Sequence, residues 1–250
     1  MKNSITYLSL LLIPVNFYLI NNSKMTNTNI KETNSVSSDS MVLQYLVREP
    51  KIKSTKKKAI ILLHGVGSNE SDLFNLADQL PRDFYVIAPR GQFTLGAGRY
   101  GWYNVDFSTG KPVFDKAQEI SSREVIREFI TQVKQQYQID EVYLGGFSQG
   151  AIMSFSVGLT NPTAVKGMIS LSGRLLVEIR PMIITNADVQ QLKVFVAHGV
   201  NDNTLPVQYA REAKLYLDNL GVQLSYHEYN MGHQINGVEL KDLNDWLDAQ

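Results

Sequence analysis

The sequence predicts an α/β fold in which a mostly parallel sheet carries helices on both faces. From residue 41 onward, short apolar runs alternate with segments of helical periodicity, and this alternation is typical of such folds. Residues 59–63 are apolar throughout, as expected for a strand buried on both faces. The pentapeptide GFSQG at residues 146–150 lies between another apolar run and a helical segment, so it predicts a sharp turn between a strand and a helix.

Residues 1–24 and 25–40 differ in composition from the rest of the chain. Residues 5–20 are mostly apolar but contain Pro14 and Asn16, which indicates a signal-like or anchor segment, although a full membrane span needs about 20 apolar residues. Residues 25–40 are rich in Asn, Ser and Thr, which predicts a disordered linker. We therefore expect export, or a membrane tether through residues 5–20. A cytoplasmic protein that starts at Met25 or Met41 is the alternative.

The folded domain is expected to span residues 41–250, with no second domain and no large cap domain. Its elements follow from the spacing of apolar residues, read in chain order. Strands are predicted at 41–47, 59–63, 84–88, 142–144, 167–171, 193–197 and 222–226. Helices are predicted at 73–80, 121–137, 151–160, 206–220 and from about 234 to 247, while 174–191 is irregular or helical.

Residues 89–118 are predicted to form one long loop. They include a formal GxGxxG pattern at 96–101, but the preceding strand ends well before it and no helix opens after it. A dinucleotide site is therefore not expected. Loops of this length are usually functional, so we expect this one to wall a substrate site.

Composition excludes several classes of protein. The chain has 24 basic and 24 acidic residues, so nothing points to nucleic acid as a partner. There are no cysteines, which excludes disulfides and a cysteine nucleophile. The four histidines show no metal-ligand spacing, so we expect neither a catalytic metal nor another cofactor.

Ser148, at the centre of the pentapeptide, is the candidate nucleophile. Glycines two residues before and two residues after it let the strand and the helix approach closely without clashes between Cβ atoms. The hydroxyl is then expected to stand exposed at the carboxyl end of a strand. The backbone N–H of Gln149 opens the helix and is expected to point toward an oxyanion formed at Ser148.

Two other strand ends carry the residue types that a serine nucleophile needs. Asp202 follows the predicted strand at 193–197, and His233 follows the one at 222–226. Because open α/β sheets bind their ligands at the carboxyl ends of the strands, we expect these two side chains to meet Ser148. His233 would accept the serine proton, and Asp202 would orient the imidazole. The chain order Ser, Asp, His is that of the α/β-hydrolases.

The loop after the strand at 59–63 is expected to supply a second oxyanion donor. It reads His64-Gly65-Val66-Gly67, at the place where hydrolases of this type carry a loop that donates a backbone N–H. We assign the two donors to the N–H groups of Val66 and Gln149.

Other residues of the same types fit the pattern less well. Asp188 has no clear strand before it, and Asp218 lies within a predicted helix, so both are weaker candidates for the acid. Ser172 lacks a glycine two residues before it. The other three histidines, His64, His198 and His227, are expected to be structural.

Several segments, in this order, resemble the phospholipase/carboxylesterase family of α/β-hydrolases, which includes the acyl-protein thioesterases. They are LLHGVGSNE at 62–70, APR at 88–90, GWY at 101–103, GFSQG at 146–150, HGVND at 198–202 with PV at 206–207, and GH at 232–233. The resemblance covers about residues 41–250. It is nearer to the bacterial esterases, because eukaryotic thioesterases commonly have an acidic residue where this chain has Ser68. The segment before residue 41 departs from the family, whose members are commonly cytoplasmic.

The resemblance implies an α/β-hydrolase fold and hydrolysis of carboxylic esters, sometimes of thioesters or lysophospholipids. It also implies that Trp102 lines the acyl pocket, with plain packing as the alternative role of this side chain. The expected function is a metal-independent serine carboxylesterase that forms an acyl-enzyme on Ser148. A thioesterase or lysophospholipase would use the same site. A non-catalytic binding protein on this fold is disfavoured because all three catalytic positions are filled.

Overall fold

A computed structural model of the chain describes residues 41–106 and 113–250. The signal-like segment and the linker predicted for residues 1–40 lie outside the described residues. So does the tip of the predicted long loop, at 107–112.

A seven-stranded sheet organises the described part of the chain. Its strands are β1 (Tyr45–Arg48), β2 (Lys58–Leu63), β3 (Phe84–Pro89), β4 (Glu141–Phe147), β5 (Gly167–Leu171), β6 (Lys193–Gly199) and β7 (Gln223–Tyr229). They lie side by side in the order β1-β3-β2-β4-β5-β6-β7. Within this sheet, only the edge strand β1 is antiparallel to its neighbour, and the other neighbouring pairs are parallel. The predicted mostly parallel sheet is therefore confirmed.

Helices connect the strands and cover both faces of the sheet. They are α1 (Glu70–Phe74), α2 (Lys116–Tyr137), α3 (Gln149–Thr160), α4 (Ala187–Gln190), α5 (Gln208–Leu220) and α6 (Gly237–Asp248). Successive side chains along a strand point to opposite faces, so the strands contribute to two cores. On one face, Ile61 and Leu144 pack in a core that includes residues of α2, α3 and α5. On the other face, Ile60 and Tyr143 pack in a second core with residues of α1 and α6.

The predicted elements differ from the structure mainly at their ends. The helix expected at 73–80 is instead the short α1 followed by a 3₁₀ turn at Ala77–Gln79. The helix expected from 121 begins five residues earlier, because the Asp115 side chain accepts hydrogen bonds from the N–H groups of Ala117 and Gln118 and caps it.

The stretch predicted as one long loop at 89–118 contains two small antiparallel hairpins. One pairs Phe93–Gly96 with Arg99–Gly101, and the other pairs Val105–Asp106 with Val113–Phe114. Gly98, in the first hairpin turn, has a φ of 66°, a conformation that glycine adopts at little cost. The formal GxGxxG pattern therefore spans a hairpin.

Glycines at 146 and 150 permit the close crossing of β2, β4 and α3. A Cβ atom on Gly150 would lie 1.8 Å from the Leu63 carbonyl oxygen, and one on Gly146 would lie 2.4 Å from the Gly150 carbonyl carbon. Both distances are far below van der Waals contact. The structure therefore confirms that glycines at these two positions let the strand and the helix approach without clashes between side-chain and backbone atoms.

No helix in residues 41–106 and 113–250 is long and apolar enough to cross a membrane.

Glu239, in the first turn of α6, makes a testable contribution to stability. Its side chain is buried, and neither carboxyl oxygen has a hydrogen-bond partner among the described residues. Burial raises the pKa of Glu239 from 4.5 to about 8, and the nearby backbone N–H of Asn236 opposes this rise only weakly. The folded protein therefore holds this proton over a pH range in which the unfolded chain has lost it.

We expect the stability contribution of Glu239 to be complete below pH 4.5 and to be lost as the pH rises toward about 8. The slope is up to about 1.4 kcal/mol per pH unit, because the folded state binds one proton more than the unfolded state in this range. Glu239→Gln should remove this slope, so the variant should gain stability relative to the wild type as the pH rises. Urea unfolding at pH 5, 6.5 and 8 measures the difference.

Glu124→Gln is the control, because it makes the same change at an exposed position of α2. The free energy of unfolding of this variant should follow that of the wild type at every pH. A constant difference between Glu239→Gln and the wild type across the range would contradict a protonated Glu239 in the folded state.

Candidate active site

Ser148 lies in the turn between β4 and α3 with a backbone φ of 55° and ψ of −116°. A non-glycine residue rarely adopts a positive φ, so the surrounding contacts must hold it there. One of them is the hydrogen bond from the Ser148 N–H to the Leu171 carbonyl at the end of β5, at 3.0 Å. The turn places Ser148 at the carboxyl edge of the sheet, as predicted, but the residue is buried and not exposed, with only 9% of its surface accessible.

The loops after β6 and β7 are joined to each other by hydrogen bonds. The N–H of Val200 donates to the Tyr229 carbonyl at 2.8 Å, and the N–H of Asn201 donates to the Met231 carbonyl at 3.0 Å. A Cβ atom on Gly199 would lie 2.4 Å from the Met231 carbonyl oxygen, so glycine is needed for this approach. The two loops carry Asp202 and His233, and their pairing places these side chains together.

The structure brings the three predicted side chains into one hydrogen-bonded chain. The Nδ1 atom of His233 lies 2.6 Å from the Asp202 Oδ2 atom, and its Nε2 atom lies 2.9 Å from the Ser148 Oγ atom. With Asp202 ionised, Nδ1 carries the proton and donates it, which leaves the Nε2 lone pair facing the serine hydroxyl. This tautomer is the one in which His233 can accept the serine proton.

Asp202 is buried but held in its ionised form. Burial favours the neutral acid, but hydrogen bonds from His198, His233 and the Leu205 N–H outweigh it and hold the pKa of Asp202 well below its ordinary range. Its Oδ1 atom accepts from the N–H groups of Thr204 and Leu205, both at 2.8 Å. The carboxylate is therefore fixed in orientation as well as in charge.

His198 is a neighbour of Asp202 that the sequence did not assign to the site. Its Nε2 atom lies 2.6 Å from the Leu205 carbonyl oxygen and 3.3 Å from the Asp202 Oδ2 atom, in a fully buried position. Nε2 must therefore carry a proton. The sequence feature that could have indicated this contact is the spacing of four residues between His198 and Asp202 at the end of β6.

The two predicted oxyanion donors lie on either side of Ser148. Gln149 opens α3, where the first backbone N–H groups have no partner within the helix. The other loop passes close to the serine, because a Cβ atom on Gly65 would lie 3.6 Å from the Ser148 Cβ atom. This loop is tied down by the Gly67 N–H, which donates to the Tyr100 carbonyl at 2.8 Å. Neither the Val66 nor the Gln149 N–H donates to another group in the described part of the chain.

His64 and Trp102 hold the loop at residues 64–67 in place by hydrogen bonds. The His64 Nε2 atom accepts from the Gly91 N–H at 2.9 Å, so its Nδ1 atom carries the proton and donates to the Gly65 carbonyl at 2.7 Å. The Trp102 indole N–H donates to the His64 carbonyl at 3.0 Å. No part of Trp102 is exposed, so its contacts here are those of a packed side chain. An acyl pocket lined by Trp102 stays a prediction.

The Gln149 side chain has a role that the sequence did not reveal. Its Oε1 atom accepts from the Trp102 N–H at 2.8 Å, and its Nε2 atom donates to the Tyr103 carbonyl at 2.7 Å. All these groups are buried. The amide therefore fastens the segment at 102–103 to the first residue of α3.

We expect Gln149→Met to destabilise the fold by about 2 to 4 kcal/mol, because it leaves a buried N–H and a buried carbonyl without partners. Gln118→Met is the matched control. Gln118 Oε1 accepts from the Asn104 N–H at 2.7 Å, but this bond is exposed, so water can replace it and the loss should stay below about 0.5 kcal/mol. Chemical denaturation measures both values, and equal losses would contradict the role given to burial.

The alternative candidates lie elsewhere or lack partners. The Asp188 carboxylate accepts from the Asn186 side chain, and that of Asp218 pairs with Lys214. Ser172 also has a positive φ, of 52°, but its hydroxyl is buried with no hydrogen-bond partner among the described residues. His227 stacks between aromatic rings, with Ser225 as its hydrogen-bond partner.

Within residues 41–106 and 113–250, no group of three or more His, Cys, Asp or Glu side chains is placed to hold a metal ion.

Comparisons with known proteins agree with this architecture. The acyl-protein thioesterase 1 of Emericella nidulans is 27% identical over 226 residues, which cover 80% of this chain and 95% of the relative. The crystal structure of a Bacillus cereus carboxylesterase superposes with a TM-score of 0.71 at 27% identity, over 83% of this chain and 94% of that one. The structure of esterase PE8 superposes with a TM-score of 0.70 at 26% identity, over 83% and 98% of the two chains. The predicted α/β-hydrolase fold is confirmed.

The sequence profile of the Phospholipase/Carboxylesterase family matches residues 46–250, which is most of the chain. The chain therefore belongs to the Phospholipase/Carboxylesterase family, a family of carboxylic ester hydrolases.

Proposed function

We propose that this protein is a serine carboxylesterase in which Ser148, His233 and Asp202 act as a catalytic triad. The observation that carries the proposal is the continuous pair of hydrogen bonds, 2.6 Å from Asp202 to His233 and 2.9 Å from His233 to Ser148. Both distances lie within the range that proton transfer requires.

In the first half of the reaction, Ser148 Oγ attacks the ester carbonyl carbon while its proton passes to His233 Nε2. The new imidazolium is stabilised by the Asp202 carboxylate. The negative charge on the former carbonyl oxygen is received by the N–H groups of Val66 and Gln149, and each such donor is worth about 3 kcal/mol in the transition state. When the tetrahedral intermediate collapses, the alcohol leaves with the proton from His233, and the acyl group stays on Ser148.

In the second half, water replaces the alcohol. His233 Nε2 takes a proton from the water molecule as its oxygen attacks the acyl-enzyme carbonyl. The same N–H groups stabilise the second oxyanion, and Ser148 leaves with the proton from His233. The products are the carboxylic acid and the regenerated enzyme.

A thioesterase activity at the same site is the second candidate, and lysophospholipid esters would be cleaved by the same steps. The similarity to the acyl-protein thioesterase 1 of Emericella nidulans supports a thioesterase activity. This relative and the Bacillus cereus carboxylesterase are equally similar to the chain, each at 27% identity. The chemistry differs only in the leaving atom, which is sulfur instead of oxygen. Comparing kcat/KM for oxygen esters and thioesters with the same acyl chain ranks the two activities, and an acyl-length series defines the pocket.

A fluorophosphonate probe tests the nucleophile directly. The probe should add covalently to the purified protein, and mass spectrometry of the digested adduct should locate it on Ser148. A probe on a different serine would contradict the assigned nucleophile. A protein that binds esters but neither reacts with the probe nor hydrolyses them would instead be a non-catalytic binding protein.

A further inference from the structure

Arg174 lies at the carboxyl edge of the sheet, beside the turn that carries Ser148. Strand β5 ends at Leu171, whose carbonyl accepts the hydrogen bond from the Ser148 N–H at 3.0 Å. Two residues later, a Cβ atom on Gly173 would lie 2.6 Å from the Ala151 Cβ atom in the first turn of α3. The backbone that leads into Arg174 is therefore packed against the turn and helix of the nucleophile.

The guanidinium of Arg174 lies beside the helix that follows the Asp202 loop. Its carbon atom lies 5.5 Å from the ring centroid of Tyr209, in the first turn of α5 just after the Asp202 loop. The charge of Arg174 also acts on Tyr103: burial raises the pKa of Tyr103, and the cation opposes that rise. Tyr103 is fastened to Gln149 through its carbonyl. Arg174 therefore lies on the same edge of the sheet as the Ser148 turn, with its guanidinium next to the first turn of α5.

Among the described residues, this cation has no anionic partner. Other arginines of the fold pair with carboxylates: Arg90 with Glu70, Arg123 with Glu119, and Arg211 with Glu228. Within residues 41–106 and 113–250, no carboxylate lies within ion-pair distance of Arg174, and residues 107–112 contain neither Asp nor Glu. Arg174 is half-buried, and its Nε atom is shielded from solvent without a hydrogen-bond partner among the described residues. A partly desolvated guanidinium with unused donors is a binding group for an anion.

We propose that Arg174 forms an anion subsite beside Ser148 and that the enzyme prefers esters carrying a carboxylate, such as half esters of dicarboxylic acids. A planar guanidinium binds a carboxylate through two parallel N–H···O bonds. One cation matches the single charge of a carboxylate. The inference rests on the proposed hydrolysis at Ser148, because it names the substrate class of that site.

Arg180 offers a matched control. Its guanidinium also lies over a tyrosine of α5, 5.0 Å from the ring centroid of Tyr216, and its Nε atom also lacks a partner among the described residues. Strands β6 and β7 are parallel, so α5 runs back from the carboxyl edge of the sheet. Tyr216 therefore lies about 10 Å farther from that edge than Tyr209, since seven helical residues rise by that length. If these arginines only fasten the segment at 174–182 to α5, both positions should behave alike.

The test compares monomethyl succinate, glutarate and adipate with neutral methyl esters of the same chain lengths, followed by pH-stat titration. The wild type should show a higher kcat/KM for the carboxylate ester at one or more lengths. Arg174→Met should lower that preference by about 10- to 100-fold, the worth of a hydrogen-bonded charge pair, while the neutral esters change little. Arg174→Lys should keep part of the preference, and Arg180→Met should keep all of it. Added salt should weaken the preference of the wild type but not that of Arg174→Met.

Two outcomes would overturn the subsite. The wild type could show no preference at any length, or Arg174→Met and Arg180→Met could lose it equally, which would make Arg174 a packing residue. Turnover of the neutral esters by Arg174→Met shows that the variant is folded.

A binding measurement separates this inference from the proposed function. In the Ser148→Ala background, calorimetric titration should show about 10-fold tighter binding of the preferred half ester than of its neutral counterpart. Adding Arg174→Met should remove that difference. This readout needs no turnover, so it decides the subsite even if Ser148 is not the nucleophile, and equal binding of the two esters would refute it.

Discussion

Ser148→Ala is expected to lower kcat for ester hydrolysis by about 10⁶-fold, the loss seen when a serine nucleophile is removed from a triad. The substitution removes the only atom that can form the acyl-enzyme, while the N–H groups of Val66 and Gln149 remain. A residual rate above that of water alone is expected from these donors and from substrate binding. Initial rates on p-nitrophenyl esters, with active-site titration of the wild type, measure the loss.

Ser172→Ala is the matched control for this experiment. Both serines follow parallel strands, both have a positive φ, and both are buried. Only Ser148 is hydrogen-bonded to a histidine, so only its substitution should abolish activity. Ser148→Ala should unfold at nearly the same temperature as the wild type, because Ser148 is 9% exposed and alanine fits in its place. Full activity of Ser148→Ala would remove the centre of the proposed mechanism.

The positions of Ser148, Asp202 and His233 could be predicted because each follows a strand that is visible in the sequence, as an apolar run before Ser148 and Asp202 and as an apolar–polar alternation before His233. Parallel strands bring their carboxyl ends to one edge, so a residue just past a strand end can be placed without knowing any contact. The glycines around Ser148 could be interpreted for a similar reason. Their role depends on the local backbone, and the local sequence shows it.

The roles of Gln149 and His198 depend on contacts that no local pattern reveals. The Gln149 amide reaches Trp102 and Tyr103, which lie more than forty residues earlier in the chain, through hairpins that were predicted as one loop. His198 reaches Asp202 only because the loop after β6 folds back so that Nε2 faces the carboxylate. The start of α2 also lies earlier than the apolar pattern predicts. Asp115 caps the helix at a point where no large apolar residue marks its first turn.

Asp202→Asn is expected to lower kcat by about 10⁴-fold without unfolding the protein. The reason lies in the four donors that face the carboxylate. Oδ1 accepts from the backbone N–H groups of Thr204 and Leu205, while Oδ2 accepts from His233 and lies 3.3 Å from His198 Nε2. In the variant, the amide oxygen must take the place of Oδ1, because an NH₂ group there would face two N–H donors.

The amide NH₂ of the variant then faces His233 Nδ1 and donates to it. The imidazole proton moves to Nε2, where it points at Ser148 Oγ, and His233 can no longer accept the serine proton. The predicted defect is thus a wrong tautomer, not a lost contact, and it should appear in kcat more than in KM. Asp218→Asn, at an exposed ion pair with Lys214, should retain wild-type rates. If Asp202→Asn keeps activity within tenfold of the wild type while its melting temperature is unchanged, the orientation of His233 must be set by another group.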